Sequence, residues 1–143
     1  MHPALWVGWR EPPRGDPGDV ARSTITVERQ NGEILCEHCL VADTFWTRFR
    51  GLLGRRYLTE DEGLLIQPAG SVHSFFMRFR IDVVFLDRED AVLKVVPGLQ
   101  RWRLAAARRA KRTLELADGV CASAGLAAGE RLVLAPRTPR EHA

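Results

Sequence analysis

Residues 81–86 read Ile81-Asp82-Val83-Val84-Phe85-Leu86. Successive side chains of a strand point to opposite faces of its sheet. Here both sets of positions are apolar, except at Asp82, so the segment predicts a central strand covered on both sides. A single acidic residue in such a strand needs a partner, because an unpaired buried carboxylate is costly.

The neighbouring segments carry the same strand signal. Ser71 to Arg80 alternates, with His73, Phe75, Met77 and Phe79 on one face and Ser74, Arg78 and Arg80 with Phe76 on the other. Gly63 to Gln67 is a short apolar strand ending at Pro68, and Asp87 to Asp90 is a polar turn into a strand over Ala91 to Val96. Thr113 to Leu116 and Arg131 to Leu134 add two more strands, with a single helical turn expected within Ala117 to Gly125. Ser23 to Glu28 and Ile34-Leu35 flank Asn31-Gly32, a hairpin signal in which both turn positions favour positive φ. Asp43 reads as a helix N-cap before Phe45, Trp46, Phe49, Leu52 and Leu53, at helical spacing over two or three turns. Gly51 and Gly54 would end that helix. The expected fold is mainly β: a β-sandwich or partly open β-barrel of six to eight short strands with one or two short helices.

The chain has 143 residues, 45% of them hydrophobic, enough for one domain with a sizeable core. Residues 1–22, with their prolines, glycines and charges, read as a flexible leader, 23–136 as the domain and 137–143 as a flexible tail. The net charge is only +3. Nineteen of the 21 basic residues are arginine, which suits anionic partners but equally reflects a codon preference. Three cysteines make no disulfide framework. No run is long enough for a membrane span, and a cytoplasmic location is expected.

Three stretches in order carry a family resemblance. The first is Val41-Ala42-Asp43-Thr44, Arg48 and Gly51-Leu52-Leu53-Gly54-Arg55. The second is Glu62-Gly63-Leu64-Leu65-Ile66 with the run from Val72 to Asp87, and the third is Leu114-Glu115-Leu116-Ala117-Asp118-Gly119 with Gly129-Glu130. Over about Ala42 to Leu134 the chain resembles the bacterial and archaeal family called domain of unknown function 192. The resemblance implies a β-sandwich-like domain and no defined reaction; some relatives accompany pilus or secretion machinery. It also implies a site lined or supported by Arg48, Gly51, His73, Met77, Asp82 and Glu115. Arg80 departs from the family's usual proline and Asp118 from its usual small residue.

Arg48, Arg78, Arg80 and the backbone amides of a nearby loop are the candidate partners of Asp82. His73 is a candidate ligand, general base or anion contact, or a satisfied core residue. His73 and Asp82 would form an acid/base pair only if a bend near Phe79-Arg80 brought them to one pocket. Cys36-Glu37-His38-Cys39 is a Cys-x-x-Cys motif. Zinc would require Cys121 and a histidine to complete the set, a redox pair would require a lowered thiol pKa, and the plainest reading is two small residues near a hairpin. The run 101–112 holds six basic residues and no acidic one, a possible contact for phosphates or, through Trp102, a base.

The function favoured by the residues is a non-catalytic ligand- or protein-binding module, expected to be monomeric and without a cofactor. Its partner would be a protein or a small anionic ligand held by Arg48 and Arg78, with Phe75, Phe76 and Met77 supplying apolar surface. The alternatives are a small enzyme using His73 and Asp82, and, less favoured, a nucleic-acid binder acting through residues 101–112.

Overall fold

A computed structural model describes residues 24–42, 57–73, 79–100 and 103–136. The leader, the helix expected after Asp43, the middle of the Ser71–Arg80 segment and the tail lie outside these described residues. The described elements are β1 (Thr24–Arg29), β2 (Ile34–Ala42), β3 (Glu62–Ile66), β4 (Ser71–His73), β5 (Ile81–Leu86), β6 (Val92–Leu99), β7 (Leu104–Ala106), β8 (Arg112–Ala117), α1 (Val120–Ala124) and β9 (Leu132–Pro136). Seven strands form one curled half-barrel sheet in the order β6-β5-β8-β3-β2-β1-β9, and β4 pairs with β7 separately. All pairs are antiparallel except β2 with β3.

The curl brings the sheet's two ends together. Ala91, just before β6, bridges to Arg131, just before β9. The amides of Val92 and Leu132 donate to the carbonyls of Glu130 and Asp90 at 2.7 and 2.9 Å. Arg29 reinforces this corner, donating through Nε and Nη2 to Glu130 Oε1 at 3.0 and 2.8 Å. The mainly β, partly open barrel expected from the sequence is therefore the observed architecture.

β5 is central, as its composition requires, with all six residues buried. Val84 and Leu86 join Leu65, Leu114, Leu116 and the three cysteines in one core. Ile81, Val83 and Phe85 join Leu40, Leu64, Ile66 and Leu99 in a second core on the other face. In the first hairpin, Gly32 has φ +88° but Asn31 is not left-handed. The Gly32 amide donates to Arg29 O at 2.9 Å and the Arg29 amide to Glu33 O at 2.8 Å. The connection is thus a three-residue loop, a type I turn closed by a left-handed glycine, rather than the two-residue turn that Asn-Gly suggests. The basic run contains strand β7, which completes the small sheet with β4.

Gly63 shows how closely the central strands approach. A Cβ there would lie 2.8 Å from Cys36 Sγ and 3.0 Å from the Glu115 carbonyl oxygen. Gly63→Ala is expected to lower unfolding free energy by about 1–3 kcal/mol through overpacking, measurable by urea denaturation; an unchanged midpoint would refute that close approach.

Candidate functional site

Asp82 is fully buried and satisfied by backbone. The Gly98 amide donates to Oδ1 at 2.8 Å and the Cys121 amide to Oδ2 at 2.9 Å. Backbone amides, one class of partner expected from the sequence, engage it among the described residues. Their placement has a local cause. β5 and β6 lose register between Ile81 and Val83, where Gly98 takes φ +56° and turns its N–H toward the carboxylate. The other amide belongs to the first turn of α1, whose N-cap, Gly119, has no side chain to cap it. Asp82 therefore caps α1 from the neighbouring strand. Burial, with the charge and hydrogen bond of Asp82, pushes the Cys121 thiol up to about 12.

Glu115 is the contrasting carboxyl. It lies at the middle of β8, opposite Leu64 of β3 and Val83 of β5, within the second core. It is 4% exposed, and among the described residues its Oε2 has no hydrogen-bond partner. Burial alone pushes its pKa up to about 8. At neutral pH the group is therefore mainly a neutral acid, able to donate one hydrogen bond.

The other residues of the expected site are only partly placed. Arg48, Gly51, Met77 and Arg78 lie outside the described residues. His73 is the last residue of β4 and pairs with Leu104 of β7, in a different sheet from Asp82. Phe79 and Arg80 follow at a bend before β5.

The Cys-x-x-Cys motif takes an unexpected form. Cys36 pairs with Val27 and Cys39 with Ile25, so three steps along β2 face two along β1. This extra residue is a β-bulge, and it returns both cysteines to the same core despite their odd spacing. A hydrogen bond with Cys36 and burial raise the Cys39 thiol well above its ordinary value, opposite to the lowering that a reactive redox thiol requires. The residues between them, Glu37 and His38, are half-buried and approach Asp61, their ligand atoms and its own all within 4.8 Å of one another. The metal-ligand spacing among the described residues thus falls on Glu37, His38 and Asp61, and not on Cys36 and Cys39. The missed signal was parity: two core cysteines three apart on one strand imply a bulge.

The basic run is not a uniform positive surface. Arg112 pairs with Asp90, and Arg109 and Lys111 share a shallow depression with Asp87, Arg88 and Glu89. Among the described residues no helix is long and apolar enough to cross a membrane.

The fold is similar to two solved structures. One is a candidate transcription regulator from Sinorhizobium meliloti 1021, with TM-score 0.70, 18% identity, and coverage of 80% of this chain and 94% of that one. The other is a protein of unknown function from Novosphingobium aromaticivorans DSM 12444, with TM-score 0.67, 18% identity, and coverage of 78% and 84%. At that identity the likeness concerns fold alone. A UPF0127 protein of Thermococcus sibiricus is 33% identical over 54% of this chain, and the match spans about half of that relative (52%). The model of the DUF192 family, described as "Uncharacterized ACR, COG1430", matches residues 26–134. With three strands of sequence evidence and most of the described sheet inside that match, the chain belongs to the DUF192 family.

Proposed function

We propose that this protein is a non-catalytic binding module for a small anionic ligand, with Glu115 as the buried anchor of its site. The observation that carries the reading is the Glu115 carboxyl, centred in an apolar core with one oxygen that no described residue satisfies. A buried orphan group of this kind costs about 1–3 kcal/mol, a cost that a ligand's complementary atom would offset. A neutral carboxylic acid donates to an anionic oxygen without charge repulsion, as other buried acids do. Arg48 and Arg78 would balance the ligand's charge, with His73, Met77 and Gly51 completing the wall. Asp82 supports the site by fixing α1 and the Gly98 bulge. Because Glu115 is closed from solvent, binding would be coupled to local opening of what covers this face.

The acid/base alternative has less support, since both Asp82 oxygens already accept backbone hydrogen bonds in a fully buried position. The link to pilus or secretion machinery rests on the family resemblance alone.

The test is a thermal-shift screen of the full chain against small carboxylates, phosphates, sugar phosphates and nucleotides, with a metal chelator present. A ligand that binds only the folded state raises Tm, by about 2.7 kcal/mol of stability at a hundredfold excess over Kd. At least one anion class is expected to raise Tm in the wild type and to lose that effect in Glu115→Met, which has no donor, and in His73→Ala. The absence of any shift, or an equal shift in Glu115→Met, would overturn the assignment.

A further inference from the structure

We infer that Glu37, His38 and Asp61 form a binding site for a divalent first-row metal ion, zinc being the best match, on the face of β2 opposite the buried cysteines. The site is separate from Glu115 and does not depend on the anion-binding reading.

The bulge in β2 is its origin. On a regular strand, consecutive residues point to opposite faces, and Glu37 and His38 could not serve one ion. With one extra residue in β2 opposite β1, they do. The backbone on either side is pinned. The Thr26 hydroxyl donates to Glu37 O at 3.2 Å, and the His38 amide donates to Asp61 O at 2.7 Å. The third ligand thus arrives on the residue whose carbonyl already holds the second.

The side chains show the same preparation. Thr59 Oγ1 lies 2.7 Å from Asp61 Oδ1 and 2.6 Å from Glu62 Oε1, so its single proton is shared by the two carboxylates, and Asp61 Oδ2 is left toward the imidazole. This is the outer-shell bracing that ligating carboxylates commonly have. Asp61 Oδ2 is 3.8 Å from His38 Nε2, too long for a hydrogen bond. Ligands at about 2.0–2.2 Å from a tetrahedral ion sit roughly 3.4 Å apart, so a small rotamer change closes the set. One imidazole and two carboxylates suit zinc and its first-row neighbours better than calcium or magnesium, which take oxygen donors. Three protein ligands leave a fourth position for water, and the half-exposed setting gives an ion direct access, with His38 25% and Asp61 41% exposed.

The experiment is titration of the full chain with Zn²⁺ by calorimetry, and with Co²⁺ by absorption spectroscopy. One equivalent of Zn²⁺ is expected to bind to the wild type. His38→Ala and Asp61→Asn, each shown by circular dichroism to be folded, should weaken binding by about tenfold or more. Cys36→Ser should leave the affinity unchanged, and the Co²⁺ spectrum should lack thiolate charge transfer. The absence of stoichiometric binding, undiminished binding in both His38→Ala and Asp61→Asn, or a thiolate band would overturn the assignment. The chelator in the anion screen keeps the outcomes distinct: Zn²⁺ binding without an anion shift sinks only the Glu115 reading, and the reverse sinks only this one.

Discussion

Asp82→Ala is expected to destabilise the fold by about 2–4 kcal/mol. The substitution orphans two N–H groups at once, that of Cys121 in the interior and that of Gly98 in the β6 bulge. Each unsatisfied buried donor costs roughly 1–3 kcal/mol, with the Gly98 amide at the lower end because it is only partly buried. The Cys121 bond is also the cap of α1, so the capping loss is contained in that figure. For a domain of this size the melting temperature should fall by roughly 10 °C. Asp82→Asn keeps one acceptor and turns an amide N–H toward the other donor, so it should cost about half as much. Urea denaturation of the three proteins tests the capping role. A loss below about 1 kcal/mol in Asp82→Ala would show that the carboxylate does not hold the two amides, and would return it to the pool of candidate acid/base groups.

The second large effect is a stability that falls as pH rises. The Glu115 carboxyl has an ordinary value of 4.5 and is pushed up to about 8 by burial in the fold. Between these values the folded chain keeps a proton that the unfolded chain has released, so raising the pH favours unfolding. The contribution is fully present below about pH 4.5, declines through the window and is lost above about pH 8, a span of about 5 kcal/mol. Asp87 and Glu130 act in the opposite direction, since backbone hydrogen bonds hold both below their ordinary values of 3.8 and 4.5. Their stabilisation is complete above those values, and the raised thiols of Cys39 and Cys121 add to the fall only toward pH 9 and beyond, so among the described groups with shifted values the window from pH 5 to 8 belongs to Glu115. Glu115→Met, similar in length and apolar, should flatten the profile there and exceed the wild type at pH 9 by roughly 3 kcal/mol. Chemical denaturation at pH 5, 7 and 9 gives both comparisons. A wild type as stable at pH 9 as at pH 5 would mean that the carboxyl ionises without penalty.

The fold was legible because its central strand declares itself. Val83, Val84 and Phe85 put bulk on both faces, and only a strand with two covered sides accommodates that. The terminal hairpin was legible in place but not in form, because Asn31-Gly32 is compatible with either a two- or a three-residue loop and the register of Glu33 decides between them. β7 was hidden by its setting, three residues inside an arginine-rich run, with only Ala105 buried.

The site residues divide along physical lines. That Asp82 needed a partner followed from its apolar neighbours. That the partner would be a helix amide and a bulge amide depended on contacts 16 and 39 residues away, beyond any local pattern. Glu115 was indicated by the family resemblance, but Leu114-Glu115-Leu116 alone reads as a half-exposed strand with its acid in water. Burial followed from β8 lying between β3 and β5, which is a property of topology. For Cys36-Glu37-His38-Cys39, the eye goes to the sulfurs, whereas the bulge reverses the roles: the thiols pack inside and the residues between them gather with Asp61.

The proposed ligand site stands on the state of one carboxyl. Carbon-detected NMR of the Glu115 side chain, assigned by comparison with Glu115→Gln and followed from pH 4 to 10, reports its titration without perturbing the fold. A midpoint near pH 8 is expected for this buried carboxyl, whose Oε2 has no partner among the described residues. A midpoint near the ordinary 4.5 would show a carboxylate that is hydrated or paired, and would remove the anchor on which the proposed ligand site is built.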